Sequence, residues 1–265
     1  MICSSVESDW DFYFCRVNGV LSSIMLNLAA NRHAPLAEKP WLLWVWVLMR
    51  SPRGDGLSSD GEAPKLYEIE DTLSGLVSES GAELLGRITG DGRREFYFYS
   101  PNSGTLDVAV DRARRAFPDY IFECGTQHDP DWRQYRDVLY PSDVDMQRIH
   151  NRRVVNVLTE RGDDHSIPRP IDHCLYFRSP ADRRAFGGAA IAAGFTVQSE
   201  SDHGSEGAER RYSLNLVRTD PATLEHIDEV VLQLVELATR YDADYDGWGC
   251  EAQTGSTWNA LSGHE

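Results

Sequence analysis

The chain has 265 residues, 41% of them hydrophobic, which is enough for one large domain or two of ordinary size with a sizeable core. Its formal net charge of −16 argues against a general nucleic-acid binder and against binding to anionic membranes, since both need a concentrated basic surface. The five cysteines are scattered without CxxC spacing, so they indicate reduced thiols rather than a disulfide framework or a zinc site.

The first residues and the most apolar segment bear on localisation. The apolar run of residues 41–49 is too short to span a bilayer. Glu7, Asp9 and Asp11 stand where a signal peptide needs a basic region followed by an apolar core. We therefore expect a cytoplasmic protein.

The first half predicts a β-hairpin followed by a β-α-β-β-α-β unit. Asn18-Gly19 is the pair that best tolerates positive φ in a two-residue turn, so it joins the two strands of the hairpin. Residues 41–49 are almost continuously apolar, which is typical of a central strand covered on both faces. The predicted strands are residues 9–17, 20–28, 41–49, 82–89, 94–100 and 120–125, and the predicted helices are residues 62–79 and 103–117.

The second half repeats this order after a polar connection. Residues 126–142 form the connection and mark the boundary between a domain of residues 1–140 and one of residues 141–265. Ser179-Pro180 and Asp220-Pro221 predict helices that begin with a side-chain cap. The predicted helices are residues 143–161, 179–194 and 220–239, the predicted strands are residues 169–177, 195–199, 210–218 and 248–254, and residues 200–209 are a predicted polar loop.

This order of elements predicts an α+β fold made of two tandem ferredoxin-like β-α-β-β-α-β sandwiches, the first preceded by an extra β-hairpin. The two halves also echo each other in sequence around Arg93-Arg94 and Arg210-Arg211, but the inference of a tandem repeat rests mainly on element order.

The sequence contains few patterns typical of catalysis. The eight histidines lack the spacing of metal ligands, and glycine-rich turns lack a phosphate-binding lysine, so we expect neither metal nor cofactor. Asp172-His173 could suggest a general base. Neighbours on a strand point to opposite faces, however, so these two side chains cannot form a dyad with each other. A structural histidine is favoured over a catalytic one.

The segment at residues 245–248 allows two interpretations. As a structural element it is a turn between the last helix and the last strand, with Trp248 anchoring the strand. As a functional element it is an exposed aromatic and acidic knob for a partner, since tyrosine and tryptophan are frequent in binding hot spots. The structural interpretation is favoured.

Several short segments in the second half carry a resemblance to a known family. They are Gly162-Asp163-Asp164, Pro168-Arg169-Pro170-Ile171-Asp172-His173 with Tyr176-Phe177, Gly194-Phe195 and Tyr245-Asp246-Gly247-Trp248. On these segments, residues from about 143 to 254 resemble the regulator of ribonuclease E activity B (RraB-like) family, small acidic bacterial proteins of ferredoxin-like fold.

The first half carries a second, less specific resemblance. It rests on Trp10-Asp11-Phe12-Tyr13, the Gly56-Leu57 turn with Glu62, and Ile69-Glu70-Asp71. Residues 1 to about 140 look like an uncharacterised domain family that is found fused in front of the RraB-like one. This resemblance implies no function.

The RraB-like resemblance implies a non-catalytic protein that binds the endoribonuclease governing messenger RNA turnover and inhibits its cleavage. Strong acidity fits a basic segment of such a partner, with no direct contact to nucleic acid or membrane. The candidate partner-binding residues are Asp163, Asp164, Arg169, His173, Tyr176, Asp244, Tyr245, Asp246 and Trp248. They predict an acidic surface around Asp163, Asp164, Asp244 and Asp246.

A second hypothesis comes from a different class of protein. The chain could be a small-ligand-binding sensor or an enzyme with a site between the two domains. That hypothesis predicts a concave pocket lined by residues such as Arg169, His173 and Tyr176.

Overall fold

A computed structural model describes residues 8–104, 106–202 and 212–254. The chain divides into two compact units, Met1–Asp145 and Met146–Glu265. Each unit contains one antiparallel sheet, so the chain is a mixed α+β protein with two antiparallel sheets. None of the helices in the described ranges is long and apolar enough to cross a membrane. Most of the predicted loop at residues 200–209 lies outside the described residues.

The described residues of the first unit up to His128 form six strands and two α-helices. They are β1 Trp10–Val17, β2 Val20–Asn27, β3 Trp41–Leu48, α1 Ala63–Ser78, β4 Glu83–Gly90, β5 Arg93–Ser100, α2 Leu106–Ala116 and β6 Ile121–His128. The strand order is β1-β2-β4-β5-β3-β6. Asn18 and Gly19 have φ of 51° and 84°, so they form the predicted turn between β1 and β2.

One face of the first sheet is covered over its central and β6-side strands by the two helices. The apolar stripe of α1 packs with the inward side chains Leu43, Val45 and Val47 of β3. Strand β3 is central, because it pairs with β5 on one side and β6 on the other. Its opposite face was predicted to be covered as well, but Trp44 and Trp46 are only half-buried there. Because tryptophan is apolar, the sequence of β3 indicated more complete burial of this face than the structure shows.

The opposite face of the same sheet is partly covered by a segment that the sequence did not predict. Residues 129–142 are not a simple polar connection: they contain a π-helical segment, Gln134–Leu139. Trp132, Tyr135 and Leu139 are fully buried. The Trp132 ring stacks on Tyr99 with centroids 4.4 Å apart, and the Tyr135 hydroxyl donates to the carbonyl oxygen of Asn27 at 2.7 Å. The connection is therefore part of the core.

The second unit contains a four-stranded sheet. Its elements, together with a helix that begins just before the unit, are α3 Asp143–Glu160, β7 Arg169–Phe177, α4 Pro180–Ala192, β8 Thr196–Asp202, β9 Tyr212–Asp220, α5 Leu224–Thr239 and β10 Ala243–Gly249. The strand order is β10-β7-β9-β8, so β7 and β9 are central and β10 and β8 are edges. The inward side chains of β7 and β9 pack with those of α4 and α5 in one apolar cluster.

Helix boundaries in this unit were predicted with mixed success. Ser179 caps α4 as predicted, because its hydroxyl accepts the amide of Asp182 at 3.1 Å. The predicted cap of α5 at Asp220 is wrong, since the N-cap residue is Thr223. The Asp220 carboxylate instead accepts from Arg218 at 2.7 Å and lies 2.8 Å from the His226 ring.

The last strand also differs from its prediction. It was expected at residues 248–254, but β10 is Ala243–Gly249 and pairs antiparallel with β7 from Ala243↔Phe177 to Gly249↔Asp172. Asp and Gly residues are typical of turns, which is why the sequence indicated a turn here. In the structure Gly247, at φ 142°, lies at a β-bulge within the strand.

The π-helical segment gives a test of how the first unit is stabilised. Trp132→Ala is expected to lower the free energy of unfolding by about 3–5 kcal/mol, because it empties a fully buried site. Val138 in the same segment is 40% exposed, so Val138→Ala is the matched control and is expected to change stability by less than about 0.5 kcal/mol. Urea unfolding followed by far-UV circular dichroism measures both, and equal effects would contradict the assignment of this segment to the core.

Candidate functional site

The side chains of β7 alternate between the two faces of the second sheet. Ile171, His173, Leu175 and Phe177 are buried on the face that α4 and α5 cover. Asp172 is exposed, and Cys174 and Tyr176 are half-buried, on the opposite face. Asp172 and His173 therefore point away from each other, as the sequence predicted, and do not form a catalytic dyad.

His173 is a buried neutral histidine. It is 1% exposed, its Nδ1 lies 2.8 Å from the hydroxyl oxygen of Tyr245, and its ring meets that of Phe195 edge-on at 5.6 Å. Burial, aided by Arg218 and opposed by Asp220, lowers the pKa of His173 to about 4. The side chain is therefore uncharged near pH 7 and belongs to the core of the second unit.

Asp163 and Arg169 form a buried ion pair. The Arg169 guanidinium is 2% exposed and pairs with the Asp163 carboxylate, whose side chain is fully buried. Arg169 also donates to the carbonyl oxygen of Ile167 at 3.0 Å, and Asp163 accepts the amide of Gln253 at 2.6 Å. Burial would raise the pKa of Asp163, but the hydrogen bonds from Arg169 and Gln253 outweigh burial and lower it. Through the bond from Gln253, this pair connects the chain after β10 to the loop before β7.

The two aromatic residues of β10 also point inward. Trp248 packs in a small core with Leu158, Ile171 and neighbouring apolar residues. Its indole Nε1 donates to the Asn151 side-chain oxygen at 3.0 Å, and the Asn151 amide donates to Asp228 at 2.8 Å. This supports the structural interpretation of Trp248, although its surroundings are a strand and not the predicted turn.

Asn151 is a structural residue that the sequence analysis missed. It is fully buried on α3 and connects α3 with α5 and β10. The available signal was its position: Asn151, Val155 and Leu158 follow helical spacing and are all buried on α3. A polar residue on an apolar stripe indicates a buried hydrogen bond.

The remaining acidic candidates lie on the edge strand β10 or in the loop before β7. Asp244 and Asp246 are exposed on β10, and residues 241–254 contain four acidic residues and no basic one. We use the name acidic edge for the exposed residues Asp164, Asp172, Asp244, Asp246 and Glu251. Burial raises the pKa of the neighbouring Cys174 thiol, and the negative charge of Asp246 adds to this effect.

The acidic edge differs in shape from the surface that the sequence predicted. Asp163 was expected on that surface, but its side chain is buried against Arg169. Asp244 lies opposite Tyr176, near the carboxyl end of β7. Asp164 donates its amide to Gln253 at 2.8 Å, beyond the opposite end of the β7–β10 pair. The accessible acids therefore form a line along the edge instead of one patch.

The residues named for a ligand pocket are not brought together. Arg169 and His173 are packed inside the second unit, and Tyr176 lies on the other face of β7 from His173. A cleft of about 670 Å³ lies in the first unit and is lined in part by Arg50, Lys65 and Tyr120, but by none of the candidate residues. Among the described ranges, no group of three or more His, Cys, Asp or Glu side chains could hold a metal ion.

The second unit is thus a small α+β domain in which His173, Tyr245 and Trp248 belong to the core, while Tyr176 is half-buried on the opposite face and the exposed candidates are acidic. Residues 8–140 match a family of unknown function (DUF695), and residues 148–250 match the family described as regulator of ribonuclease activity B. Two proteins named Regulator of ribonuclease activity B, from Salmonella typhi and from Escherichia coli (strain K12), are 30% and 29% identical over 112 residues. The alignment covers 41% of this chain and 79% of each relative.

The chain belongs to the regulator of ribonuclease activity B family through its second half, behind a first half that belongs to the family of unknown function. Solved structures add nothing to this assignment. A chain titled putative glycine cleavage system transcriptional repressor covers 80% of this chain at 8% identity, but its TM-score of 0.24 is too low to support an argument about the fold.

The buried ion pair can be tested against an exposed one. Arg169→Ala is expected to lower the free energy of unfolding by about 3–5 kcal/mol, because it leaves the Asp163 carboxylate buried without its partner. Arg178 pairs with Asp242 at 3.4 Å, with side chains 50% and 63% exposed, so Arg178→Ala is expected to cost less than about 1 kcal/mol. Chemical denaturation of the two variants measures the difference, and a loss of comparable size in both would refute the proposed role of the buried pair.

The neutral state of His173 predicts a pH dependence of stability. Its pKa is about 4 when folded and about 6.5 when unfolded, so the unfolded chain binds the extra proton first as the pH falls. Relative to His173→Phe, the wild-type protein should lose up to about 1.4 kcal/mol per pH unit between pH 6.5 and 4. Above about pH 7 the two stability curves should run parallel. Parallel curves down to pH 4 would show that His173 titrates normally in the folded state.

Proposed function

We propose that this chain is a non-catalytic regulator that binds a basic segment of a ribonuclease E-type endoribonuclease through the acidic edge and inhibits RNA cleavage. The observation that carries the proposal is the line of exposed acids on β10, with no basic residue among residues 241–254. The relatives named as regulators of ribonuclease activity support the same direction.

Charge complementarity explains how such an edge selects a partner. Side chains two positions apart on a strand are separated by about 7 Å, so Asp244 and its neighbours can meet alternate Lys or Arg residues of an extended segment. Like-charged surfaces are repelled, and the attraction weakens as salt rises, since the charges are exposed. The interaction is therefore specific for basic partners and depends on ionic strength.

The buried contacts around β10 hold the edge in place before binding. Trp248 is fixed by Asn151, and the segment after β10 is fixed by the Asp163–Arg169 pair. A surface that is already ordered loses less conformational entropy when a partner binds. His173, Tyr245 and Trp248 support the edge in this way without touching the partner.

We further propose the finer features of the fold and location that go with this function. Each half is a ferredoxin-like sandwich, residues 1–140 and 141–265 being separate domains, and the protein acts in the cytoplasm. The order β10-β7-β9-β8, with the first and third strands of the unit in the centre, supports the proposal for the second half.

Neutralising the acidic edge tests the function. The double variant Asp244→Asn with Asp246→Asn is expected to raise the Kd for a purified ribonuclease E-type endoribonuclease about tenfold, or about 1.4 kcal/mol, and to relieve inhibition of RNA cleavage. The matched control is Asp107→Asn with Asp111→Asn, because those two acids are exposed on α2 of the first unit. Binding that both double variants weaken equally, or that is insensitive to salt, would count against the acidic edge.

A further inference from the structure

The helix-side face of the first sheet is wider than the two helices on it. Helix α1 packs against β4 and helix α2 against β6. Strand register places Phe12, Met25, Arg87 and Phe96 in one row across β1, β2, β4 and β5. Exposure rises along this row from 0% at Phe96 through 9% at Arg87 to 38% at Phe12. The helical layer therefore ends before β2 and β1.

The next row shows the same gradient. Phe14, Ser23, Thr89 and Arg94 lie side by side, and exposure rises from 3% at Arg94 and 5% at Thr89 to 52% at Phe14. We use the name open lane for Phe12, Phe14 and Arg16 of β1 together with Ser23 and Met25 of β2. Adjacent strands lie about 4.8 Å apart, so two strands offer about the 10 Å width of one helix.

The open lane is apolar at its outer edge. The rings of Phe12 and Phe14 meet edge-on with centroids 5.8 Å apart. Met25 beside them is half-buried. Exposed aromatic side chains next to each other on a flat surface are typical of protein interfaces.

Its inner border carries an unbalanced positive charge. Arg87 and Arg94 both approach Glu70 of α1, but only Arg87 pairs closely, since Arg94 Nη1 is 4.0 Å from the carboxylate. Arg94 is 3% exposed, and its Nη1 has no hydrogen-bond partner in the part of the chain described. The strands of this face add the exposed Arg16 and no acidic residue. Two buried guanidinium groups thus share one carboxylate.

The Tyr67 ring lies against both guanidinium groups of this border. The guanidinium carbons of Arg87 and Arg94 each lie 5.0 Å from the centre of the Tyr67 ring, and Tyr67 is 47% exposed. Tyr67 also hydrogen-bonds Arg94, and an incoming carboxylate would replace that bond when Tyr67 changes rotamer, which is a fast motion for an exposed side chain. Burial and the neighbouring Arg87 lower the pKa of Arg94 to about 10, which an added carboxylate would reverse.

We propose that the open lane binds an acidic amphipathic helix of a partner protein. The apolar side of that helix packs on Phe12, Phe14 and Met25 and continues the helical layer beside α1. A carboxylate on its flank accepts from Arg94 and, at the outer end, from Arg16. This site belongs to the first unit, is opposite in charge preference to the acidic edge, and does not depend on the function proposed for the second unit.

Defined peptides test the proposal with the full-length chain. The probe is a helical peptide of about 18 residues, or five turns, with a leucine stripe flanked by glutamates, and its matched control has glutamine at each glutamate position. The glutamate peptide is expected to bind at least about tenfold more tightly and to shift the NMR signals of the Arg94 Nε–H group and of the Phe12 and Phe14 rings. Failure of the glutamate peptide to bind, or equal binding of both peptides, would overturn it.

Surface variants avoid the risk of misfolding that a change at Arg94 carries. Phe14→Ser and Arg16→Gln alter exposed side chains and are each expected to weaken binding of the glutamate peptide about five- to tenfold. Ile121→Ser is the matched control, because Ile121 is 63% exposed on β6 at the other edge of the same sheet. An effect of Ile121→Ser as large as that of Phe14→Ser would overturn the site. So would sedimentation showing that a second copy of the chain occupies the lane and is displaced by Phe14→Ser.

Discussion

The buried ion pair between Arg169 and Asp163 holds together the two segments at one end of the acidic edge. It joins the loop before β7 to the chain that follows β10, which are the two segments that flank the β7–β10 pair. A buried ion pair contributes little net stability compared with apolar packing, but one partner without the other is strongly unfavourable. Its value therefore lies in specificity: only one arrangement of the two segments satisfies both charges. The acids of β10 are exposed because their strand is held in that register.

Part of the site could be predicted from sequence because successive side chains of a strand point to opposite faces of the sheet. This alternation alone predicted that Asp172 and His173 point to opposite faces, and the structure confirms it. The same rule could not reveal that Asp163 is inside and Asp164 outside, since both lie in a loop without a period. Only the position of Arg169 in three dimensions shows which of these two neighbouring acids has a buried side chain.

The errors in the fold have a common physical origin. Residues 245–248 contain Asp and Gly and were interpreted as a turn, but a β-bulge uses the same residue types for the same reason, a backbone angle that glycine tolerates. Residues 126–142 were interpreted as a connection because most of them are polar. Trp132, Tyr135 and Leu139 nevertheless stand at helical spacing, and these three residues are the buried ones. Local composition was outweighed in both places by packing against a neighbouring strand.

Net charge says little about local charge in this molecule. The formal net charge of the chain is −16. The helix-side face of the first sheet nevertheless presents Arg16, Arg87 and Arg94, with Glu70 as the close carboxylate. The charged residues among residues 241–254, in contrast, are all acidic. The acidic edge would attract a basic partner segment and the open lane an acidic one, and each surface would repel the segment that the other attracts. With the two proposed sites, an acidic protein would hold two partners of opposite charge, and the first unit would extend the range of partners beyond that of the second unit alone.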